Sequence, residues 1–592
     1  MHFQKHPTRV AFIFFIFLFC IILFFIKLAL IQVFRVDYLA EKAEKQHNHI
    51  VELEPLRGAI FDRNMRPLAI NVGAYSLFAN PRMMTDAQKA TAVSAIVSVL
   101  GGDPAAYART LGKNKHFVWV ARKLSPAQYE LLKGLKAQGL GFVKESKRFY
   151  PDNDLAAHLM GFVNIDNVGL QGIELEYDKH LRGAKGMAQF LRDARMRDLM
   201  IEKDFVAPRD GGQIVLTIDE TIQFIAEKAL DKAFQKYHAA SASVIVLDPK
   251  TGEVLAFANR PDFDLEHPDA TPPENLTNRA VAFVYEPGSV FKIVTASAGL
   301  EEKAFTEEDT IFCENGAYRV ANHTLHDHEP LGLLTFRQVV EHSSNIGVTK
   351  IAQKLGPEKV YAYARRFHFG VKTGIGMVGE VAGMLKPVSR WSKTSIGAIP
   401  IGQEVTVTPV QLVCAIAAIA NDGRYMKPYY VKALKDPSGR VIQEFQPQPE
   451  DQVIQPDIAR RMKSILQGVV DEGTATAAKM KDITAGGKTG TAQKVENGTY
   501  SHSKFVASFI GFAPVEDPKL AIVVTVDTPH PVYYGGLVSA PVFKEIVENS
   551  LRYLASAAVA SNAANAVSAA AAPGAAKAAS GAEKPVQQIK KP

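Results

Sequence analysis

Three short clusters in this chain carry side chains able to perform nucleophilic acyl transfer. The first is Tyr285-Glu-Pro-Gly-Ser-Val-Phe-Lys292, where Pro287 and Gly288 break the chain before Ser289 and an apolar run follows (Val290, Phe291, Ile293, Val294, Ala296, Ala298). Ser289 therefore stands at a helix start, and Lys292, three positions on, shares its helical face within reach of the hydroxyl proton. The second is Ser343-Ser-Asn345, a hydroxyl and an amide two positions apart between two apolar helical segments. The third is Lys488-Thr-Gly490 followed by Thr491, a strand with little side-chain bulk around Gly486, Gly487 and Gly490. A substrate backbone can lie along such a strand edge. Acyl transfer needs an activated hydroxyl, a proton relay and donors aimed at the tetrahedral oxyanion, and these clusters can supply all three.

The first and third patterns have copies that lack this context. Ser501-His-Ser-Lys504 follows Asn497-Gly498 in a polar hairpin loop with no apolar helix behind its serine. Lys250-Thr-Gly252 lies in a turn after Asp248-Pro249, and Lys372-Thr-Gly374 lies in a glycine-rich loop, so only the copy at Lys488 opens a strand that continues into further strands. Gly374-Ile-Gly-Met-Val-Gly379 fits a dinucleotide fingerprint in letters alone, because no strand enters it and no helix leaves it. His323, His326 and His328 cluster beside Asp327 without metal-ligand spacing, which reads as a polar loop; no metal and no cofactor are expected.

These clusters need a scaffold, and the 592-residue chain, 47% hydrophobic, is long enough for several domains. Its net charge of +7 is modest and no Lys/Arg block is interleaved with aromatics, which excludes a nucleic-acid groove. Three cysteines exclude a disulfide framework and leave one bridge between Cys313 and Cys414 as an option. Val10 to Ile26 is an apolar run that resumes after Lys27 through Ile31, long enough to cross a bilayer, and no small-residue cleavage site follows it. His2, Lys5, His6 and Arg9 precede it, so the positive-inside rule places residues 1–9 in the cytoplasm, 10–31 in the membrane and the rest outside.

Asp37 to Gln46 reads as a helical continuation, and residues 32–205 as an elongated α+β module. From about 206 to 554 an α/β domain follows. Asp219 caps a helix to about Tyr237, and Val244–Leu247 and Val254–Phe257 read as strands. Thr335-Phe-Arg-Gln338 is a capping box, residues 485–492, 505–513 and 520–526 read as successive antiparallel strands, and a last helix runs from Ser539 to near Tyr553. Residues 555–592, rich in Ala, read as a disordered tail.

In this order and spacing the three clusters resemble the penicillin-binding proteins. Arg57-Gly to Asp62-Arg63, Arg148 with Tyr150-Pro151, and Gly169 to Glu174 resemble the N-terminal module of the class B enzymes, and the likeness covers about residues 10 to 554. Glu286-Pro-Gly, and Tyr533-Tyr-Gly-Gly536 leading to Ala540-Pro-Val-Phe543, resemble the division-specific FtsI type. The resemblance implies the penicillin-binding transpeptidase fold, an antiparallel sheet sandwiched by helices, preceded by a membrane anchor and the N-terminal module. It implies a peptidoglycan D,D-transpeptidase acting on D-Ala-D-Ala stem peptides at the septum and acylated by β-lactams. Ser289 would be the nucleophile, Lys292 its base, kept neutral by burial and by Lys488, Ser343 the proton relay and Asn345 a holder of the Lys292 amine. Lys488 and Thr489 would bind the terminal carboxylate, Gly490 and Thr491 would complete the substrate-binding strand, and the N–H groups of Ser289 and Thr491 would form the oxyanion hole. A membrane-embedded glycosyltransferase and other divisome proteins would be the partners.

Two positions depart from the family pattern: Met65, where Gly is frequent, and Val290, where Thr is common. A D,D-carboxypeptidase or β-lactamase-like hydrolase, a β-lactam sensor, and a noncatalytic divisome scaffold are the alternatives on the same fold.

Overall fold

The computed structural model describes residues 7–38, 48–134, 139–192, 198–200, 205–496 and 498–571. Helix α1 (Pro7–Ala29) continues into a wider turn at Leu30–Phe34. Its span Thr8–Val33 has 26 residues and contains an 18-residue stretch of mean hydropathy 3.0, none of which is buried in protein. At 1.5 Å per residue such a helix exceeds the ~30 Å of a bilayer core. The helical continuation expected to Gln46 falls from residue 39 onward outside the described residues.

The rest divides into two compact units. One comprises Met1–Gly58, Gly73–Ser146 and Arg182–Gly211, and the other Ala59–Val72, Lys147–Leu181 and Gly212–Pro592. Residues 59–72 and 147–181, N-terminal by sequence order, thus fold with the second unit. In the first unit, helix Asp86–Leu100 starts in a capping box of Thr85 and Gln88. It closes a small core of Leu77, Ile96, Leu111, Leu124 and Leu132. A buried Glu145 there accepts from Ser76 and Arg122.

In the second unit the elements in chain order are α2 (Glu220–Lys236), β1 (Ser241–Leu247), β2 (Val254–Arg260) and α3 (Lys292–Glu301). The hairpin β3 (Ala317–Val320) and β4 (His323–His326), then α4 (Phe336–Glu341), α5 (Asn345–Leu355), α6 (Pro409–Ala420) and α7 (Pro456–Asp471) follow. The chain closes with β5 (Gly486–Glu496), β6 (Thr499–Ala513), β7 (Leu520–Asp527) and α8 (Ala540–Ala571). Five strands form one antiparallel sheet in the order β2-β1-β7-β6-β5.

Every residue of β1, β2 and β7 is buried. Side chains alternate between faces, so both faces of the sheet are covered, as expected of a sheet sandwiched by helices. The β-branched runs of β1 and β7 suit this double burial. Helix α6, Pro-Val-Gln-Leu-Val-Cys-Ala-Ile-Ala-Ala-Ile-Ala, is buried at all its positions and packs on β1, β6 and β7. Helices α2 and α8 pack on each other and on the sheet, and α7 packs on β5.

The capping box at Thr335 and Gln338 and the cap at Asp219 form as the sequence predicts. All three cysteines are free, Cys313 and Cys414 being buried, so the optional bridge is not made. Helix α8 runs on to Ala571, beyond the expected end near Tyr553. The run of Ala after residue 555 has the highest intrinsic helix propensity, and a packed N-terminal half supplies the nucleus. Residues 572–592 lie outside the described residues.

Candidate active site

The turn carrying Ser289 is fixed by main-chain bonds on both sides. Tyr285 and Val407 exchange N–H···O bonds of 3.1 and 2.9 Å, and Gly288 N–H donates to Gly402 O at 3.1 Å. Gly288 has φ +58°, which glycine adopts freely. Residues Gly288–Phe291 form a 3-10 turn that feeds α3, so Ser289 lies in this tight turn and Lys292 is the first residue of the α-helix. Val290, Phe291, Ile293, Val294, Ala296 and Ala298 are all at zero exposure and drive Lys292 into the core with them. Ser289 stays half-buried.

The Lys292 amine is also fully buried, and its partners come from 51 and 53 residues further along: Ser343 O, Ser343 Oγ at 3.1 Å and Asn345 Oδ1 at 2.7 Å. The hydrogen bonds of this amine go to Ser343 and Asn345 and not to Ser289 Oγ, so the pair expected from the sequence alone is completed by the second cluster. An ammonium donates three hydrogens and fits all three partners. A neutral amine donates two, to Ser343 O and Asn345 Oδ1, and its lone pair accepts from the Ser343 hydroxyl. Both protonation states are therefore satisfied by one hydroxyl rotation, which suits a group that exchanges a proton.

Ser343 sits between α4 and α5 with φ +58°, a left-handed conformation uncommon for a residue with a Cβ. Ser344 is the N-cap of α5, its Oγ accepting from Gly347 N at 2.9 Å. The first turn is closed by Asp327, beyond β4. Its Oδ1 accepts from Asn345 N and from Ile346 N at 3.2 Å, and its Oδ2 accepts from Ser344 Oγ at 2.7 Å. Asn345 Nδ2 donates to His326 O at 2.8 Å, which turns the amide oxygen toward Lys292. Sequence reasoning treated Asp327 only as a neighbour of histidines. Its role arises 18 residues away, where no local pattern signals it.

Strand β5 is an edge strand and lies against the Ser289 turn. A Cβ on Gly490 would stand 2.4 Å from Ser508 Oγ and 3.0 Å from both Pro287 O and Val290 Cγ1, so glycine is what allows the approach. Lys488 is fully buried and donates to Thr489 O at 3.3 Å. The Thr489 hydroxyl is 2.9 Å from that of Thr474, and Thr491 Oγ1 accepts from Gly535 N at 3.0 Å. Thr474 and Gly535 had no sequence signal as site residues.

Burial lowers the Lys292 pKa to about 7, against a smaller opposing pull from Asp327. Burial also pushes Lys488 well below the usual lysine range, and the Lys292 charge adds to that. The repulsion expected between the two amines thus falls on Lys488, while desolvation accounts for Lys292.

The profile of the penicillin binding protein transpeptidase domain matches residues 242–548, and that of the penicillin-binding protein dimerisation domain matches residues 52–216. Stage V sporulation protein D of Bacillus subtilis (strain 168) is 35% identical over 91% of this chain and 85% of its own length. The peptidoglycan D,D-transpeptidase FtsI of Escherichia coli (strain K12) is 31% identical over 89% of this chain and 88% of its own. This chain belongs to the class B penicillin-binding proteins. Among solved structures of the family, penicillin binding protein 3 from Mycobacterium tuberculosis, complexed with aztreonam, has a TM-score of 0.67 at 28% identity, over 85% of this chain and 97% of that one.

The patterns set aside in the sequence lie elsewhere in this penicillin-binding fold. Lys250 pairs with Asp517 at an exposed turn. Thr373 N and Oγ1 both donate to Glu380 at 2.6 Å, which shapes the glycine loop rather than a strand. The Ser501–Lys504 stretch belongs to β6 rather than to a loop, with Lys504 paired to Glu496 at 2.6 Å in solvent. Pairing with β5 is broken by a register shift that leaves Ser501–Lys504 opposite Lys494, and it resumes at Tyr500 and Thr499. Among the described residues no group of His, Cys, Asp and Glu has metal-binding geometry. His323 and His326 bound β4, and His328 lies 5.4 Å from the Tyr534 ring.

Proposed function

We propose that this class B penicillin-binding protein is a peptidoglycan D,D-transpeptidase whose reaction runs through Ser289. The observation that carries the reading is the buried Lys292 amine, held by Ser343 and Asn345 and poised near neutrality. At neutral pH a substantial fraction of Lys292 is free base. It takes the Ser289 proton as Oγ attacks the D-Ala-D-Ala carbonyl, and the charge on the resulting oxyanion is met by the N–H groups of Ser289 and Thr491. The tetrahedral intermediate collapses with cleavage of the amide bond. Ser343, already bonded to the Lys292 amine, passes the proton to the departing D-Ala nitrogen, which leaves an ester on Ser289. An amine of a neighbouring stem peptide then attacks that ester; its proton returns through Lys292 to Ser289 Oγ, and a cross-link replaces the ester. Asn345 holds Lys292 and the substrate amide, and Thr489, Gly490 and Thr491 line the terminal carboxylate and the substrate backbone, with the buried Lys488 amine behind them. β-Lactams acylate the same oxygen.

The apolar α1 anchors the chain in the cytoplasmic membrane, and the basic residues before it favour residues 1–9 inside and the catalytic unit outside. Likeness to the FtsI relatives favours a septal role beside a membrane-embedded glycosyltransferase. The test is labelling of the full chain with a fluorescent penicillin and mapping of the modified peptide. Modification at Ser289, abolished in S289A, is expected; modification elsewhere, or rapid turnover of penicillin to free product, refutes the reading.

A further inference from the structure

We propose that Thr474 is a carboxylate-binding residue of the acyl-donor site, a third hydroxyl beside Thr489 and Thr491; the inference rests on the reading of Ser289 as the acylation site. The starting point is Lys488. Its side chain has no exposed surface and its amine is turned to the carbonyl of Thr489. A group without an exposed face cannot make the direct contacts that an incoming anion requires, so the contacting donors must come from elsewhere on β5 or its surroundings.

The hydroxyls meet that need. Thr474 follows α7 and is exposed, whereas Thr489, at 8% exposure, stands behind it. Their oxygens are 2.9 Å apart. Two hydroxyls facing each other hold two hydrogens and use one for their mutual bond, so one O–H remains to donate outward. Thr491 uses an acceptor lone pair on Gly535 N, which leaves its own hydrogen free. The three threonines thus offer at least two outward donors to a carboxylate, a contact stronger than its neutral counterpart.

The position of Thr474 is built from both sides. Its N–H donates to Glu341 O at 3.3 Å, two residues before Ser343. Its carbonyl lies 2.5 Å from where a Cβ on Gly536 would be, so the bare Gly535-Gly536 turn is what seats it. The loop therefore joins the Ser343 segment to β5 and holds a hydroxyl beside the strand that the donor's carboxylate reaches.

The test compares two D-alanyl thioesters on the full chain, one ending in a carboxylate and one in a carboxamide, with thiol release as the readout and urea unfolding as a control for folding. T474V keeps the shape and removes the hydroxyl. It is expected to slow acylation by the carboxylate substrate about tenfold, chiefly through weaker binding, and to leave the carboxamide substrate within about twofold. T474S is expected to restore the carboxylate rate to within about twofold of the parent. Equal losses on both substrates, or no loss on either, overturn the proposal and leave Thr474 as a loop tether. Failure of fluorescent penicillin to label Ser289 in the parent refutes the acylation reading itself, whatever Thr474 does.

Discussion

Replacing Asp327 by Asn tests how the second cluster reaches the first. Asp327 meets three donors at the start of α5, the N–H groups of Asn345 and Ile346 and the Ser344 hydroxyl, and it is the charge that opposes the fall of the Lys292 pKa. Asn keeps the shape and one acceptor oxygen but removes the charge and the second acceptor. Two effects follow. Loss of charge-assisted capping costs about 1–3 kcal/mol of stability, because the buried Ser344 hydroxyl must find a new acceptor. Loss of the negative charge lowers the Lys292 pKa further.

A nearby opposite charge shifts a titrating group by about one to three pKa units, and the pull of Asp327 on Lys292 is smaller than that of burial, so its removal is expected to cost about one unit. Lys292 acts as a free base, so acylation rises with pH through its pKa, about 7 in the parent, and is level above it. D327N is expected to shift that midpoint to lower pH by about one unit and to lower the plateau, since a weaker base held by a looser Asn345 takes the proton less readily. The sign for folding is separate. A lysine whose pKa is depressed on folding makes the unfolded chain bind more protons between about 7 and the unfolded value, so its burial penalty is full below pH 7 and fades as pH rises. Penicillin acylation rates from pH 5 to 9, with urea unfolding at each pH, measure both effects. An unchanged midpoint, or one moved to higher pH, refutes the assigned electrostatics.

G490A places a Cβ 2.4 Å from Ser508 Oγ and 3.0 Å from Pro287 O, so it is expected to push β5 off the Ser289 turn and slow acylation at least tenfold; normal labelling kinetics would show that the close approach is not needed. E174A removes the partner of buried Arg148, now 2.7 Å away with both side chains at or below 2% exposure. A loss of about 3–5 kcal/mol in urea unfolding is expected, and a loss under 1 kcal/mol would show that the pair is not structural. Met65 has φ +64° on an exposed turn capped by Asp62, whose Oδ1 accepts from Asn64 N and Arg66 N. M65G is therefore expected to stabilise by about 0.5–1 kcal/mol, and destabilisation would mean that the Met65 side chain outweighs its backbone strain.

The elements legible in the sequence are those whose causes are local. Capping at Thr335 and Asp219, the glycine-lined β5, the β-branched β7 and the apolar α1 each announce themselves within a dozen residues. The site was legible only as three separate clusters, because what joins them is tertiary. Lys292 finds its partners 51 and 53 residues away, Asp327 caps a helix 18 residues on, and Thr474 meets Thr489 from another loop. The end of α8 was misplaced for the opposite reason, since an alanine run reads as low complexity although it propagates a helix that packing has already nucleated.

The two Ser-x-x-Lys copies show what the letters leave out. Lys504 sits in solvent beside Glu496, and that contact holds its amine above the usual lysine range, permanently charged and useless as a base. Lys292 carries the same side chain at the same spacing from a serine, yet the apolar residues of α3 draw it out of water and its partners among the described residues are neutral oxygens. Desolvation of the one and an acidic partner beside the other then separate a lysine poised near pH 7 from an inert one. The chemistry of the first cluster is thus a property of the core it is packed into: a substitution that opened this part of α3 to water would return Lys292 toward the charged state of Lys504, with every catalytic side chain still in place.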